Sequence, residues 1–375
     1  MGIAVRSSSR DFSRRRFAQM ASVGLLSTLT LGLPDLAAAQ GAHRGFTDSL
    51  GRVVKVSSQV KSVMPLGDIA QCLVCTLCPD ALASVVSEID DSDGHEWRKT
   101  SIGGIAQLPN TGGGAKSGVD VEPQSAIVVG ADVMLDAGIP RDGLCDELDS
   151  LQNHGEIPCV FLDTSFGNLS RAFRLLGELL NRQQRAEELA SFVESAMARV
   201  EALRRRIDNP CSIFYAPRRL GLEVKSSVSV QIDAISYIGA RPVVAPYDFT
   251  TRSVDFGKLN SANPNLIVFD DTSSLASLIV REGTAWDVWR NVKAVSDRRF
   301  AVSPALFYSW FGSLVHVQSI GILWLASIVW PSQCNYDVRT LAADFYRLFY
   351  GYESDEGEIE KLIGTYRKGG YLVEC

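Results

Sequence analysis

The sequence predicts an α/β protein of two lobes, each built around a central parallel sheet, joined by one long bridging α-helix. Short apolar runs that end in small or polar residues, such as "IPCVFLDTS" and "CSIFYAP", alternate with helical patterns in both halves of the chain. Between the halves, residues 169–206 keep a helical spacing of apolar side chains and contain no proline. In each half, a helix also leads into a strand through a similar phrase, "EPQSAIVVGADVMLD" and "FGKLNSANPNLIVFD".

Residues 1–39 are predicted to be a targeting segment and not part of the fold. Arg14 and Arg15 in "SRRRFAQM" precede an apolar run over residues 21–33, and small residues follow at Ala37 and Ala39. This order is typical of a cleaved twin-arginine signal peptide. The apolar run is short for a membrane span, although a retained anchor is the alternative. We therefore expect export to the periplasm or the extracytoplasmic face of the membrane.

The charge balance disfavours some classes of partner. Residues 1–39 carry five arginines and two aspartates, so the formal net charge of −6 becomes −9 without them. An acidic protein is poorly suited to bind nucleic acid or an anionic membrane surface. No nucleophile elbow, P-loop or dinucleotide fingerprint occurs in its required context. We expect a monomer that does not bind nucleic acid and is not an enzyme.

The first lobe is assigned to residues 40–168. "FTDSLGRVVKV" predicts two short strands around a turn, and "VKSVMPLG" predicts a strand followed by a helix over residues 68–86. "QSAIVVGADVMLDAG" predicts a helix and a strand, and "IPCVFLDTS" another strand. Because the strands alternate with helices, we expect a parallel, Rossmann-like sheet whose carboxyl-terminal loops face a ligand.

The bridging helix is assigned to residues 169–206 and the second lobe to residues 207–375. A single helix of that length would be on the order of 55 Å long, so it would contact both lobes. "CSIFYAP", "RPVVAP", "NLIVFDD" and "RRFAVSP" predict strands of the second lobe. "LVHVQSIGILWLASIVWP" contains His316, Gln318 and Ser319, so we predict a buried helix there and not a membrane span.

The order of these phrases resembles the periplasmic substrate-binding proteins of ABC importers for iron–siderophore, haem, cobalamin and related metal complexes. The resemblance covers nearly all of the chain after residue 39, including "WDVWRNVKAVSDRRFAVSP" and "GILWLASIVWP" followed by "DFYRLFYGY". It implies a metal chelate, most of all an iron complex, held in a cleft between the lobes and delivered to an ABC permease in the inner membrane. It implies no permanently bound cofactor.

The resemblance also implies where the permease docks. Members of the family commonly place a glutamate at the start of each helix-to-strand phrase, where it pairs with permease arginines. Here Gln124 and Gly257 occupy those positions, and Glu122 and Asp255 stand two residues earlier. Glu122 and Asp255 are therefore the expected docking residues.

Candidate ligand-binding side chains follow predicted strands. Tyr215 and Arg218 lie in "FYAPRR"; arginine offers a fork for carboxylates, and tyrosine can stack on a ligand or bind iron(III). Phe307, Tyr308 and Trp310 belong to an aromatic loop that suits a macrocycle or a catecholate. The alternatives are a solvated arginine and ordinary core packing. The remaining candidates are Asp136, Thr164, Tyr247 and His316.

Cys72, Cys75 and Cys78 in "QCLVCTLCPD" share the opening spacing of a bacterial ferredoxin run. Leu82 stands where the fourth cysteine of that run belongs, and residues three apart on a helix drift by about 60° per step. Our leading interpretation is that the three thiols fill an apolar helix face. An iron–sulfur redox protein, a helical disulfide and a soft-metal site are alternatives. A metal-chelate sensor or storage protein without a permease is a further one.

Overall fold

The computed structural model describes residues 42–86, 105–111, 124–216, 229–243, 247–248, 253–270, 278, 281–306, 308–312 and 315–367. The described residues form one compact unit that begins at Ala42. The predicted signal segment, residues 1–39, lies outside these ranges. Within them, no helix has both the length and the apolar character needed to cross a bilayer.

The first lobe opens with an antiparallel hairpin of β1 (His43–Thr47) and β2 (Val53–Ser57). A parallel three-stranded sheet follows, in the order β3 (Val63–Pro65), β4 (Val133–Gly138) and β5 (Cys159–Asp163). Its strands are buried almost throughout, as expected for a parallel sheet covered on both faces. The helices of this lobe are α1 (Asp68–Leu77), α2 (Ser125–Val128) and α3 (Leu144–Gly155).

The segment predicted as a single bridging helix is two helices. α4 (Leu169–Leu179) ends before Asn181, which has a left-handed φ of 55°, and α5 (Gln183–Arg204) begins after it. Asparagine tolerates this conformation better than most residues, so one position can end the helix. The prediction of one helix over residues 169–206 was wrong, because α4 folds back onto α5 and both keep a buried face. α5 bridges the lobes: it packs on α1 and, from the second lobe, on the late helices described below.

Close contact holds α4 and α5 together. A Cβ on Gly177 would lie 2.3 Å from the Cβ of Ala186, so only glycine permits this approach of the two helices. Arg174 of α4 donates hydrogen bonds to the carboxylates of Glu187 and Glu194 on α5. These two carboxylates raise the pKa of Arg174 further above its usual value.

The second lobe contains a parallel four-stranded sheet and a small antiparallel hairpin. The strands are β6 (Ser212–Ala216), β7 (Arg241–Pro242), β8 (Tyr247–Asp248), β9 (Ser253–Val254), β10 (Leu266–Phe269) and β11 (Phe300–Val302). The sheet has the order β11–β10–β6–β7, and β8 pairs with β9 in the hairpin. The helices are α6 (Ser229–Tyr237), α7 (Phe256–Ala262), α8 (Thr284–Trp289), α9 (Lys293–Ser296), α10 (Gln318–Val329), α11 (Val338–Tyr350) and α12 (Glu356–Arg367).

One apolar cluster runs through both lobes. It includes Leu73 of α1, Phe173 of α4, Val193 of α5 and Trp324 of α10, all of them buried. α10 is buried along almost its whole length, which confirms the predicted core helix. The two parallel sheets and the bridging α5 confirm the predicted two-lobed α/β class, while the lobe boundaries at residues 168 and 206 stay predictions.

Candidate functional site

A small pocket of about 30 Å³ lies between the lobes; we call it the cleft pocket. The loop after β5 contributes Thr164 and Ser165, and the middle of the bridging α5 contributes Val193 and Met197. The second lobe closes it with side chains at the start of α6 and α10, namely Val230, Gln318, Ser319 and Ile322. The pocket therefore takes its walls from both lobes and from the helix that joins them.

The first-lobe wall is held rigidly by Asp163. Its carboxylate accepts hydrogen bonds from Ser165 N at 2.8 Å, from Ser165 Oγ at 2.6 Å and from Asn168 Nδ2 at 2.7 Å. An aspartate that accepts from the backbone two residues on forms an Asx turn, which fixes the loop. The loop is also tied to the sheet, since Thr164 N donates to Gly138 O at 2.8 Å.

Thr164 is the chemically conspicuous residue of this loop. Its side chain is only 1 % exposed, yet its hydroxyl has no hydrogen-bond partner among the described residues. Leaving a buried polar group unpaired costs about 1–3 kcal/mol. A hydroxyl left in that state on the wall of a pocket is available to a ligand.

The second-lobe wall supplies further polar groups. Gln318 Nε2 donates to Gly312 O at 3.2 Å, and Ser319 Oγ donates to His316 O at 2.8 Å. Behind them, Gln231 Nε2 donates to Gly312 O at 3.1 Å, while Gln231 Oε1 has no partner among the described residues. The cleft pocket thus has hydroxyls from both lobes and one side-chain amide from the second lobe, set among mainly apolar side chains.

Thr164 is the predicted ligand residue that lines the cleft pocket. Gln318 and Ser319 are additions that the sequence reasoning missed, although their signal was present. Both are polar residues at the start of an otherwise apolar helix.

Three other predicted residues lie inside the protein. Tyr215 is buried and its hydroxyl donates to Asp270 Oδ2 at 2.9 Å, while Trp310 Nε1 donates to the Tyr346 hydroxyl at 2.6 Å. Asp136 is buried in β4 and accepts from Ala137 N at 2.9 Å, and burial raises its pKa to about 6. None of the three lines the cleft pocket.

The remaining predicted positions are less informative. Arg218, Phe307 and Glu122 lie outside the described residues, and for Tyr247 only the backbone, in β8, is described. Asp255 caps α7, where its carboxylate accepts from Lys258 N at 3.0 Å. That hydrogen bond lowers the pKa of Asp255.

A second pocket, of about 270 Å³, contains the other predicted side chains; we call it the thiol pocket. It lies between α1, the start of α5, the end of α11 and the segment that precedes α10. Tyr308 and His316, both predicted ligand residues, line it together with Cys72 and Cys75. Further lining residues are Gln71, Thr76, Arg185, Phe349 and Tyr350.

The prediction that the three cysteines pack as core residues holds in part: Cys75 and Cys78 pack against the main apolar cluster, but all three are only half-buried, and other side chains form the core face of α1. Leu73, Val74 and Leu77 occupy that face, whereas Cys72 and Cys75 are half-buried on the wall of the thiol pocket. Cys78 is the C-cap residue of α1 and does not line the pocket. The correction follows from helix geometry, because thiols one turn apart share a face different from that of the leucines.

His316, Cys72 and Cys75 of the thiol pocket are held in their neutral forms. Burial lowers the pKa of His316 to about 3, and a 2.6 Å hydrogen bond joins its Nε2 to the Tyr350 hydroxyl. Burial raises the pKa of Cys75 to about 12 and that of Cys72 well above its usual value. Across the described ranges, no three His, Cys, Asp or Glu side chains converge as a metal site, which argues against a cluster on the three cysteines.

We expect His316 to make the protein less stable in acid. The folded pKa of about 3 lies below the unfolded value near 6.5, so the unfolded chain binds the proton first. Stability should therefore fall as pH drops from about 6.5 towards 3, with a slope that approaches about 1.4 kcal/mol per pH unit. Urea unfolding of the wild type and of His316→Gln, measured from pH 4 to 7, tests this. A wild-type slope equal to that of the variant would contradict it.

The fold has two lobes with a small pocket between them. The family model described as "Periplasmic binding protein" matches residues 139–305. Over that region, this match confirms the resemblance seen in the sequence.

Solved structures extend the likeness to most of the chain. A solute-binding protein of an ABC transporter from Sulfurospirillum deleyianum is 18% identical with a TM-score of 0.71, covering 85% of this chain and 98% of that one. MolA from Haemophilus influenzae, bound to molybdate, is 16% identical with a TM-score of 0.62, covering 83% and 99%. CeuE from Helicobacter pylori, with Ni(II) bound, is 12% identical with a TM-score of 0.59, covering 84% and 98%. At such identities the likeness shows a shared fold. No curated protein sequence matches the chain significantly.

Proposed function

We propose that this protein is an exported solute-binding protein that captures a metal chelate between its lobes and delivers it to an ABC permease in the inner membrane. An iron complex, either a siderophore or haem, is the first candidate ligand. The observation that carries the proposal is the cleft pocket, which is lined by Thr164, with its unpaired hydroxyl, and by Gln318 and Ser319 at the start of α10. The periplasmic binding protein match over residues 139–305 supports the same class of function.

The size of the cleft pocket constrains the mode of binding. About 30 Å³ accommodates one small polar group and not a whole chelate. We therefore place one oxygen-bearing group of the ligand between Thr164 and Gln318 and the bulk of the chelate outside the pocket. A metal-containing solute agrees with the ligands named for two proteins of the same fold: molybdate for MolA and Ni(II) for CeuE.

Export is supported by the chemistry of Cys211. This buried residue is disulfide-bonded, and disulfides persist mainly in oxidising compartments. For the permease, we propose Asp255 and Glu122 as contacts. The capping bond from Lys258 N holds the Asp255 carboxylate at the start of α7, where it is 35% exposed.

Tryptophan fluorescence titrations test the proposal. The panel comprises ferric siderophores, haem, cobalamin, nickel chelates and molybdate. We expect at least one metal-containing solute to bind with a Kd below about 10 μM. Circular dichroism and urea unfolding of the same sample control for folding. A folded protein that binds no member of the panel in this range would contradict the proposal.

A further inference from the structure

Cys72 and Cys75 have no part in the proposed function, and the structure places them together on one wall of the thiol pocket. Both are free thiols. Because they are three residues apart in α1, their Cβ atoms are about 5–6 Å apart, so their sulfurs can reach one ion between them. We propose that Cys72 and Cys75 bind one soft monovalent metal cation, Cu(I) or Ag(I), through their two sulfur atoms.

The number of available ligands favours a monovalent cation. Within the described ranges, no third His, Cys, Asp or Glu side chain joins the two thiols in a metal-binding arrangement. His316, the nearest candidate in the pocket, has its Nε2 engaged with Tyr350. Structural Zn(II) sites need four ligands, whereas Cu(I) and Ag(I) prefer soft sulfur donors and accept linear coordination by two of them.

The surroundings of the two sulfurs suit a metal thiolate. The Tyr308 hydroxyl is hydrogen-bonded to Cys72 and favours its ionised form. Two thiolates and one monovalent cation carry a net charge of −1, and Arg185, whose guanidinium donates to Leu348 O, lines the same pocket. The Asp68 carboxylate opposes ionisation of Cys72. Arg185 Nη1 also donates a hydrogen bond to Glu188 Oε2 at 3.3 Å. His316 and Tyr350 remain neutral.

Binding has a defined proton balance. Both thiols are protonated at neutral pH, as an ordinary cysteine thiol is. One cation replaces two S–H bonds with two sulfur–metal bonds and sends two protons to solvent, while the metal keeps its oxidation state. Affinity should therefore rise with pH.

Anaerobic competition for Cu(I) against bicinchoninate tests the site, with the full chain in reduced form. We expect the wild type to retain one Cu(I) per chain and to release two protons at pH 7. Cys72→Ser and Cys75→Ser should each lower the affinity for Cu(I) by more than about 100-fold. Losing a residue that only hydrogen-bonds to a metal ligand typically costs about 10- to 100-fold, and losing the ligand itself costs more. Cys78→Ser and Cys145→Ser are the matched controls and should retain wild-type affinity. Zn(II) and Ni(II) should not displace Cu(I).

X-ray absorption at the copper edge keeps the test decisive if a serine variant fails to fold. In the wild-type protein, the bound Cu(I) should have two sulfur neighbours and no nitrogen or oxygen neighbour. The proposal is overturned if the copper has a different set of neighbours. It is also overturned if Cys72→Ser and Cys78→Ser bind Cu(I) equally, or if binding releases no protons.

Discussion

Thr164→Val is expected to weaken ligand binding by about 10- to 100-fold while leaving the protein at least as stable as the wild type. Valine keeps the shape of threonine and removes only the hydroxyl. In the free protein that hydroxyl is buried and has no partner among the described residues, so its removal relieves a desolvation cost. In the complex it donates to the ligand, so its removal costs a hydrogen bond. Few substitutions are expected to raise stability and lower affinity together.

Thr76→Val is the matched control. Thr76 is also buried, but its hydroxyl donates to Cys72 O at 2.6 Å and it lines the thiol pocket. We expect this variant to lose roughly 0.5–1.5 kcal/mol of stability and to keep its affinity. Urea unfolding and titration with whichever panel member the wild type binds measure both quantities. Equal losses of affinity in the two variants would contradict the assignment of Thr164 to the ligand.

Gly321→Ala is expected to destabilise the protein by about 3 kcal/mol or more. A Cβ at this position would lie 2.1 Å from Trp310 O and 2.9 Å from Trp310 C. Trp310 cannot retreat easily, since its N donates to Pro304 O at 2.8 Å and its Nε1 to the Tyr346 hydroxyl at 2.6 Å. α10 would have to move away, and with it the Gln318 wall of the cleft pocket.

Gly138→Ala provides the comparison for Gly321. A Cβ there would meet nothing within 4 Å, so the stability should change by less than about 0.5 kcal/mol. Thermal or urea unfolding of both variants measures the difference. If Gly321→Ala were as stable as Gly138→Ala, the close packing of α10 on the Trp310 segment would be contradicted.

The strands and the class of fold were predictable because their signals are local. Runs such as "VMLDAG" and "CVFLD" are apolar apart from one aspartate each, and they form the buried strands β4 and β5. The break at Asn181 was not predictable in this way. The apolar spacing continues through it, and the reason for the break is the packing of Gly177 on Ala186, which no local pattern records.

The residues of the candidate site were likewise predictable only where their signal is local. Thr164 could be predicted because it directly follows a strand. Tyr215 also ends a strand, but whether such a side chain faces a cleft or the core depends on distant partners. Tyr215 bonds Asp270, 55 residues away, and Trp310 bonds Tyr346, 36 residues away. Only the tertiary structure shows that these partners lie in the core.

Native mass spectrometry of the protein isolated from its own host tests the central claim most directly. We expect a 1:1 complex with a metal-containing small molecule, and we expect Thr164→Val isolated in parallel to carry much less of it. The mass of the ligand and the isotope pattern of its metal would identify the chelate. A wild-type protein recovered without any small molecule, and unable to take up a metal chelate added to it, would contradict the claim.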